Sequence, residues 1–215
     1  MKTTDPRSAG PARLAALRRG LAAVVLAACA MPAFALDLPQ LMGLLSQNRS
    51  GEATFTELRF VHGLDQPLES TGTLSFAAPD KFTRKTLSPR AESMSIDGNT
   101  LTLSRGSRSR SLALDAAPEM IGIVEAVRGT LTGNSQTLQR YFSSSVAGTP
   151  DKWTLELTPL DDRLARALRR VTLGGRQGEL RSVEMLFPGG DHSLMTIEPK
   201  SLQRAPAPGA ASSSP

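Results

Sequence analysis

Pro118–Leu131 reads PEMIGIVEAVRGTL, and the role of this stretch decides how the rest of the chain is understood. Met120, Ile121, Ile123, Val124, Val127 and Leu131 recur at three- and four-residue spacing, which puts them on one apolar helix face. Glu119, Glu125 and Arg128 fall on the other side. Pro118 suits the first helical turn, where its missing N–H would have had no partner. Strand-like segments lie on both sides of this helix. A single apolar helix in a largely β chain needs a surface to cover, and that surface is the functional question.

Upstream, Asp37 is placed to cap a first helix, LPQLMGLLSQ, with Leu38, Leu41, Met42 and Leu45 as its stripe and Pro39 in its first turn. Asn48–Gly51 is expected to end it. Six strands follow: 52–60, 68–77, 81–87, 92–96, 99–105 and 108–113. Alternation is clear in the second, where Leu68, Gly72, Leu74 and Phe76 oppose Glu69, Thr71, Thr73 and Ser75. Asp97-Gly98 is a strong two-residue hairpin signal. Downstream, Asn134 is expected to cap a short helix over 135–141. Strands are expected at 142–147, 152–158, 171–173, 180–187 and 192–197, with a helical turn at 161–169 that carries Leu164 and Leu168. About eleven strands joined mostly by tight turns favour antiparallel neighbours. Twist accumulates over so many strands, and the sheet curls. The fold class read from this pattern is mainly β: a curved, unclosed antiparallel barrel with the helices at 38–47 and 118–131 as lid or plug.

The two ends stand apart from this body. Within residues 1–35, Arg13, Arg18 and Arg19 precede a short apolar run, Leu21–Ala30, and Ala33-Phe34-Ala35 is an A-x-A cleavage pattern. The reading is an export signal cleaved before Leu36. Leu26-Ala27-Ala28-Cys29 also reads as a lipobox, so a chain lipidated at Cys29 is the alternative. A lone cysteine leaves no disulfide. Residues 200–215, rich in Ala, Pro and Ser, read as a disordered tail, which leaves 36–199 as the folded domain. The net charge of +5 is mostly a property of the leader. Without residues 1–35, Lys+Arg falls from 25 to 20 and Asp+Glu from 20 to 19, for a net +1. That balance gives no argument for nucleic acid, which calls for a dense basic face.

Reactive constellations are absent from the pattern. His62 and His192 both sit beside turns, with no partner that would make either a base. No H-x-x-x-H or cysteine cluster points to zinc. Asp161-Asp162 is explained by a helix cap followed by a first-turn acid. SRGSRSRS lacks the strand–turn–helix setting of a nucleophile elbow, and GGRQG lies between strands rather than before a helix. Arg163, Arg166, Arg169 and Arg170 form a local basic patch, either a solvated face or a contact for an acidic partner or anionic lipid. The inward faces are rich in Leu, Met, Ile and Val. Periodicity alone fits a packed core and an acyl-chain cavity equally well.

Four stretches resemble the LolA-like periplasmic lipoprotein carriers. Gly51–Thr56, GEATFT, looks like the family's first strand, with Phe55-Thr56-Glu57 in place of its F-T-Q core. Gly72–Phe82, GTLSFAAPDKF, resembles its G-x-L-x-x-x-x-P-x-x-F hairpin, Glu92–Leu103 its D-G-x-x-L strand pair, and Leu168–Ile197 its closing strands. The resemblance runs in order over nearly all of 37–198. It implies an unclosed barrel with a helical lid over a hydrophobic cavity. The implied role is non-catalytic, without cofactor or metal: a monomer carrying lipoprotein acyl chains through the periplasm, from an inner-membrane ABC exporter to an outer-membrane acceptor. Under that reading the cavity wall comprises Phe55, Leu74, Phe76, Met94, Ile96, Leu101, Leu103, Trp153, Leu155, Met185 and Phe187, and the lid Met120, Ile121, Ile123, Val124 and Val127. The Cys29-anchored alternative is an outer-membrane receptor or a lipid-sensing or structural module. Two departures stand out. The family's lid-binding arginine is replaced by Ala78, before Pro79, and the family's extra C-terminal segment is matched here only by low-complexity chain.

Overall fold

The structure is a computed structural model that describes residues 36–116 and 118–204; for Asp115 and 118–120 it describes the backbone alone. The expected export signal with Cys29, and residues 205–215, lie outside the described residues.

Helix α1 spans Leu38–Leu45. Asp37 caps it as expected: its carboxylate accepts from the Gln40 N–H, and the Gln40 side chain accepts in return from the Asp37 N–H. The helix ends sooner than the sequence indicated. Asn48–Gly51, read as its terminus, instead opens β1, Asn48–Phe60. There follow β2 (Leu68–Ala77), β3 (Lys81–Ser88), β4 (Glu92–Asp97), β5 (Thr100–Arg105) and β6 (Arg108–Ala113). A 3-10 turn at Leu114–Ala116 leads to α2, Pro118–Thr132, the helix read from the sequence. Helix α3, Ser135–Tyr141, is capped by Asn134, whose Oδ1 accepts from the Thr137 N–H at 3.2 Å. Then come β7 (Phe142–Thr149), β8 (Lys152–Pro159) and α4 (Asp162–Ala167), the last capped by Asp161. The chain closes with β9 (Arg170–Arg176), β10 (Glu179–Leu186) and β11 (His192–Arg204).

All eleven strands form one antiparallel sheet in the order β6-β5-β4-β3-β2-β1-β11-β10-β9-β8-β7. It is two meanders fused where β1 pairs with β11, from Asn48 opposite Arg204 to Phe60 opposite His192. The fusion joins strands from the two ends of the chain, so no turn signal announces it. It also corrects the tail boundary: Lys200–Arg204, read as disordered chain, belong to β11 and pair with the start of β1. Strands β6 and β7 are left as edges. The sheet is therefore curved and unclosed, and the chain between those edges passes through α2 and α3.

The core divides into clusters along the concave face. The largest gathers Leu41, Met42 and Leu45 of α1 and Leu138 of α3 against Phe142, Trp153, Leu155, Leu157 and Val171. A second joins Ile96, Leu101 and Leu114 to Val124 of α2. A third holds Phe55, Met195 and Ile197, with Leu74 packed against it. Two glycines permit this packing. Gly133 ends α2 at φ +66, where a Cβ would lie 2.2 Å from the Met42 carbonyl oxygen, so α1 and α2 meet only with glycine there. Gly72 makes room for the Phe55 ring, since a Cβ would lie 2.8 Å from it and 2.0 Å from the Lys85 oxygen.

Candidate functional site

The candidate site is the interval between α2 and the concave face of β1–β4. Helix α2 shares its apolar residues between two clusters. Ile123 and Ala126 turn toward the large cluster with α1 and α3, while Ile121 and Val124 turn toward Ile96 and Leu101. Val127 and Leu131 face the β2–β3 turn at Ala78-Pro79. Met120, also assigned to the lid, lies in α2 by its backbone.

Beneath the C-terminal half of α2 lies a cavity of about 90 Å³. Leu131 and Thr130 roof it, and Leu74, Phe76 and Phe82 are among the residues of its sheet wall. At its far end sit Leu45, Leu180, Ile197 and Leu202. The surface it presents is mostly apolar, although Asn48, Glu52, Ser75, Thr130 and Glu179 also border it. Leu202 comes from the part of β11 that the sequence consigned to the tail, and no periodicity in SLQRAP marks it. Ala53, Phe82 and Ile197 were also missed as wall residues, although each falls on the inward face once the register is known; Leu180, missed as well, packs against the third cluster beside a register shift in β10.

The expected wall residues do not all meet here. Leu74 and Phe76 line the cavity. Phe55 lies in the wall behind it, packed with Met195 and Ile197. Met94, Ile96 and Leu101 lie under or beside α2, and Leu103, 42% exposed, lies beyond its cover. Trp153 and Leu155 sit elsewhere. They are 1% and 0% exposed in the large cluster, filled over by α1 and α3, and Met185 and Phe187 pack on that cluster's margin. Around Trp153 and Leu155 the sheet is covered by packed side chains of α1 and α3. Alternation identifies an inward residue, but it does not tell whether a helix already fills the space in front of it.

Beside the Phe55 ring, the inward-facing charge is paired. Glu57 is 8% exposed and accepts from Arg84, while the Ser70 hydroxyl donates to the same carboxylate oxygen at 3.4 Å. The Arg84 guanidinium also stands 4.6 Å from the centre of the Phe55 ring. Ala78 leaves no arginine on the β2–β3 turn to hold the helix. A connection of opposite polarity exists instead. Arg128 of α2 donates to the Gly98 carbonyl in the β4–β5 turn at 2.8 Å and pairs with Glu125 one helical turn back. Its place opposite the apolar face of the helix gives no sign of this contact. A charge-assisted bond of this kind contributes about 1.5–3 kcal/mol. Arg128→Ala is expected to raise amide exchange in α2 at least tenfold and to leave β8 and β9 unchanged. Equal protection of α2 in both proteins would show that the Gly98 contact does not hold the helix down.

A half-open antiparallel barrel, with an apolar helix laid across its concave face and an apolar cavity beneath, defines the class of protein. The chain belongs to the family described as outer membrane lipoprotein carrier protein LolA-like, whose model matches residues 30–207. Among individual relatives, an outer-membrane lipoprotein carrier protein of Cupriavidus pinatubonensis is 28% identical over 183 residues, 82% of each chain. That of Cupriavidus necator is 27% identical over 182 residues, with the same coverage. Among solved structures, a LolA superfamily protein from Nitrosomonas europaea aligns over 80% of this chain and 96% of its own, at 11% identity and TM-score 0.42. The Pseudomonas aeruginosa MucA/MucB complex aligns over 80% of this chain and 59% of that chain, at 14% identity and TM-score 0.44.

Proposed function

We propose that this protein is a non-catalytic periplasmic carrier that takes up the acyl chains of a lipoprotein or related lipid beneath α2 and shields them from water on the way to the outer membrane. The observation that carries this reading is the apolar cavity roofed by Leu131 and walled by Leu74, Phe76 and Phe82. Family membership supports the cargo class, and the names of the Cupriavidus relatives supply the lipoprotein. An inner-membrane exporter as donor and an outer-membrane protein as acceptor complete the proposal.

The energetics favour a lid over a permanent hole. Burying acyl chain is worth about 0.8 kcal/mol per CH₂, so a rigid, fully formed slot would hold its cargo too well to pass it on. At about 90 Å³ the cavity is small beside ligand pockets of roughly 300–1,000 Å³. Loading must therefore displace α2, and return of the helix to Ile96 and Leu101 favours release. A fluorescent fatty acid tests this: its emission should rise on binding and fall when palmitate competes. Failure of the probe to bind, with the protein folded, would remove the carrier reading.

A further inference from the structure

At the end of the concave face that α2 leaves open, the inward side chains of β3–β6 form a graded ladder. The first rung, Ile96 opposite Leu101 opposite Leu112, is apolar and lies under α2. The second is mixed: Arg84 opposite Met94 opposite Leu103 opposite Arg110. The third is charged: Glu92 opposite Arg105 opposite Arg108. The second and third rungs line a groove of about 550 Å³, edged by Ser93, Ser104 and Ser109.

The charges in this groove do not balance. Arg84 is paired with Glu57 and Arg105 with Glu92. Among the described residues, Arg108 and Arg110 make no ion pair. Arg105 and Arg108 stand directly across the β5–β6 ladder from each other, a placement in which like charges destabilise a sheet. Arg110 lies on the same side of β6, two residues on. Arg105, Arg108 and Arg110 thus line one groove with Glu92 as their one carboxylate neighbour in its lining, and the buried Nε of Arg84 has no hydrogen-bond partner. An anion in the groove relieves the repulsion and gives the guanidiniums a planar, multidentate acceptor.

We propose that this groove holds the phosphate-bearing head of an anionic lipid, whose acyl chain runs over Met94 and Leu103 toward Ile96, Leu101 and the space beneath α2. The proposal rests on the carrier reading and narrows its cargo to amphiphiles with an anionic head. Charge complementarity alone also fits an acidic peptide. Met94 and Leu103, the apolar pair at the centre of the second rung, decide for a lipid, because they lead from the guanidiniums to Ile96 and Leu101 within one face of the sheet.

The test compares palmitoyl lysophosphatidate with monopalmitoylglycerol by titration calorimetry on the full chain below their micellar concentrations. The variant is Arg108→Gln/Arg110→Gln, with exposed side chains whose loss leaves the core intact. Wild-type protein is expected to bind the phosphate lipid at least tenfold more tightly. The variant should lose that preference, and its affinity for the neutral lipid should stay within twofold of wild type. Equal affinity for both lipids in wild type, or a preference that survives in the variant, would overturn the headgroup site while leaving the carrier reading standing. Binding of neither lipid would sink both. Inorganic phosphate or an acidic peptide that binds as tightly as the phosphate lipid would replace the lipid with a free anion or a peptide as the occupant.

Discussion

Val124→Glu is expected to lower affinity for a fluorescent fatty acid at least tenfold while the sheet stays folded. Val124 is 4% exposed and touches Ile96 and Leu101 through the second core cluster. A carboxylate there has no cationic partner in that cluster, and burial without compensation costs roughly 2 kcal/mol or more. The helix can avoid the cost by lifting from the sheet. Its removal opens the space beneath it to water and takes away the roof that an acyl chain needs. The main cluster of α1, α3 and β7–β9 does not include Val124, so far-ultraviolet circular dichroism should keep its β signature. Fatty-acid binding equal to wild type in a folded V124E protein would mean that α2 does not cover the binding site.

Trp153→Ala separates the two halves of the barrel. Trp153 was expected in the cavity wall, but it is 1% exposed within the large cluster, and its indole N–H donates to the Gln177 carbonyl at 2.9 Å. Truncating a packed aromatic costs about 3–5 kcal/mol. At roughly 2–4 °C per kcal/mol for a domain of this size, the melting temperature should fall by roughly 6–20 °C. Fatty-acid affinity of the folded protein should stay within about twofold. A small change in melting temperature with lost binding would return Trp153 to the cavity wall and contradict the division of the core drawn above.

Most of the architecture could be read from local patterns because local physics produces it. The caps at Asp37, Asn134 and Asp161, the Asp97-Gly98 turn and the apolar face of α2 each depend on residues within a few positions of one another. What local pattern could not show is long-range. The β1–β11 pairing links residues more than a hundred positions apart, and with it came the error over Lys200–Arg204 and the missed cavity residue Leu202. The same limit explains the wall. Trp153 and Leu74 alternate with polar neighbours in the same way, and only the positions of α1 and α3 decide that one is core and the other faces space. The lid connection was obscured for a related reason. The arginine expected before Pro79 is Ala78, and Arg128, on the polar side of the helix, reaches the barrel from the other direction.

The most direct test of the carrier role is native mass spectrometry of the protein isolated from the cell envelope without delipidation. One spectrum reports both the mature N-terminus and any retained ligand. A chain that begins at Leu36 and carries an acyl-bearing adduct, lost in the V124E variant, is the predicted result. A chain that begins at Leu36 with no adduct, from cells in which lipid traffic is active, would contradict the carrier role and leave α2 as a helix that merely completes the core.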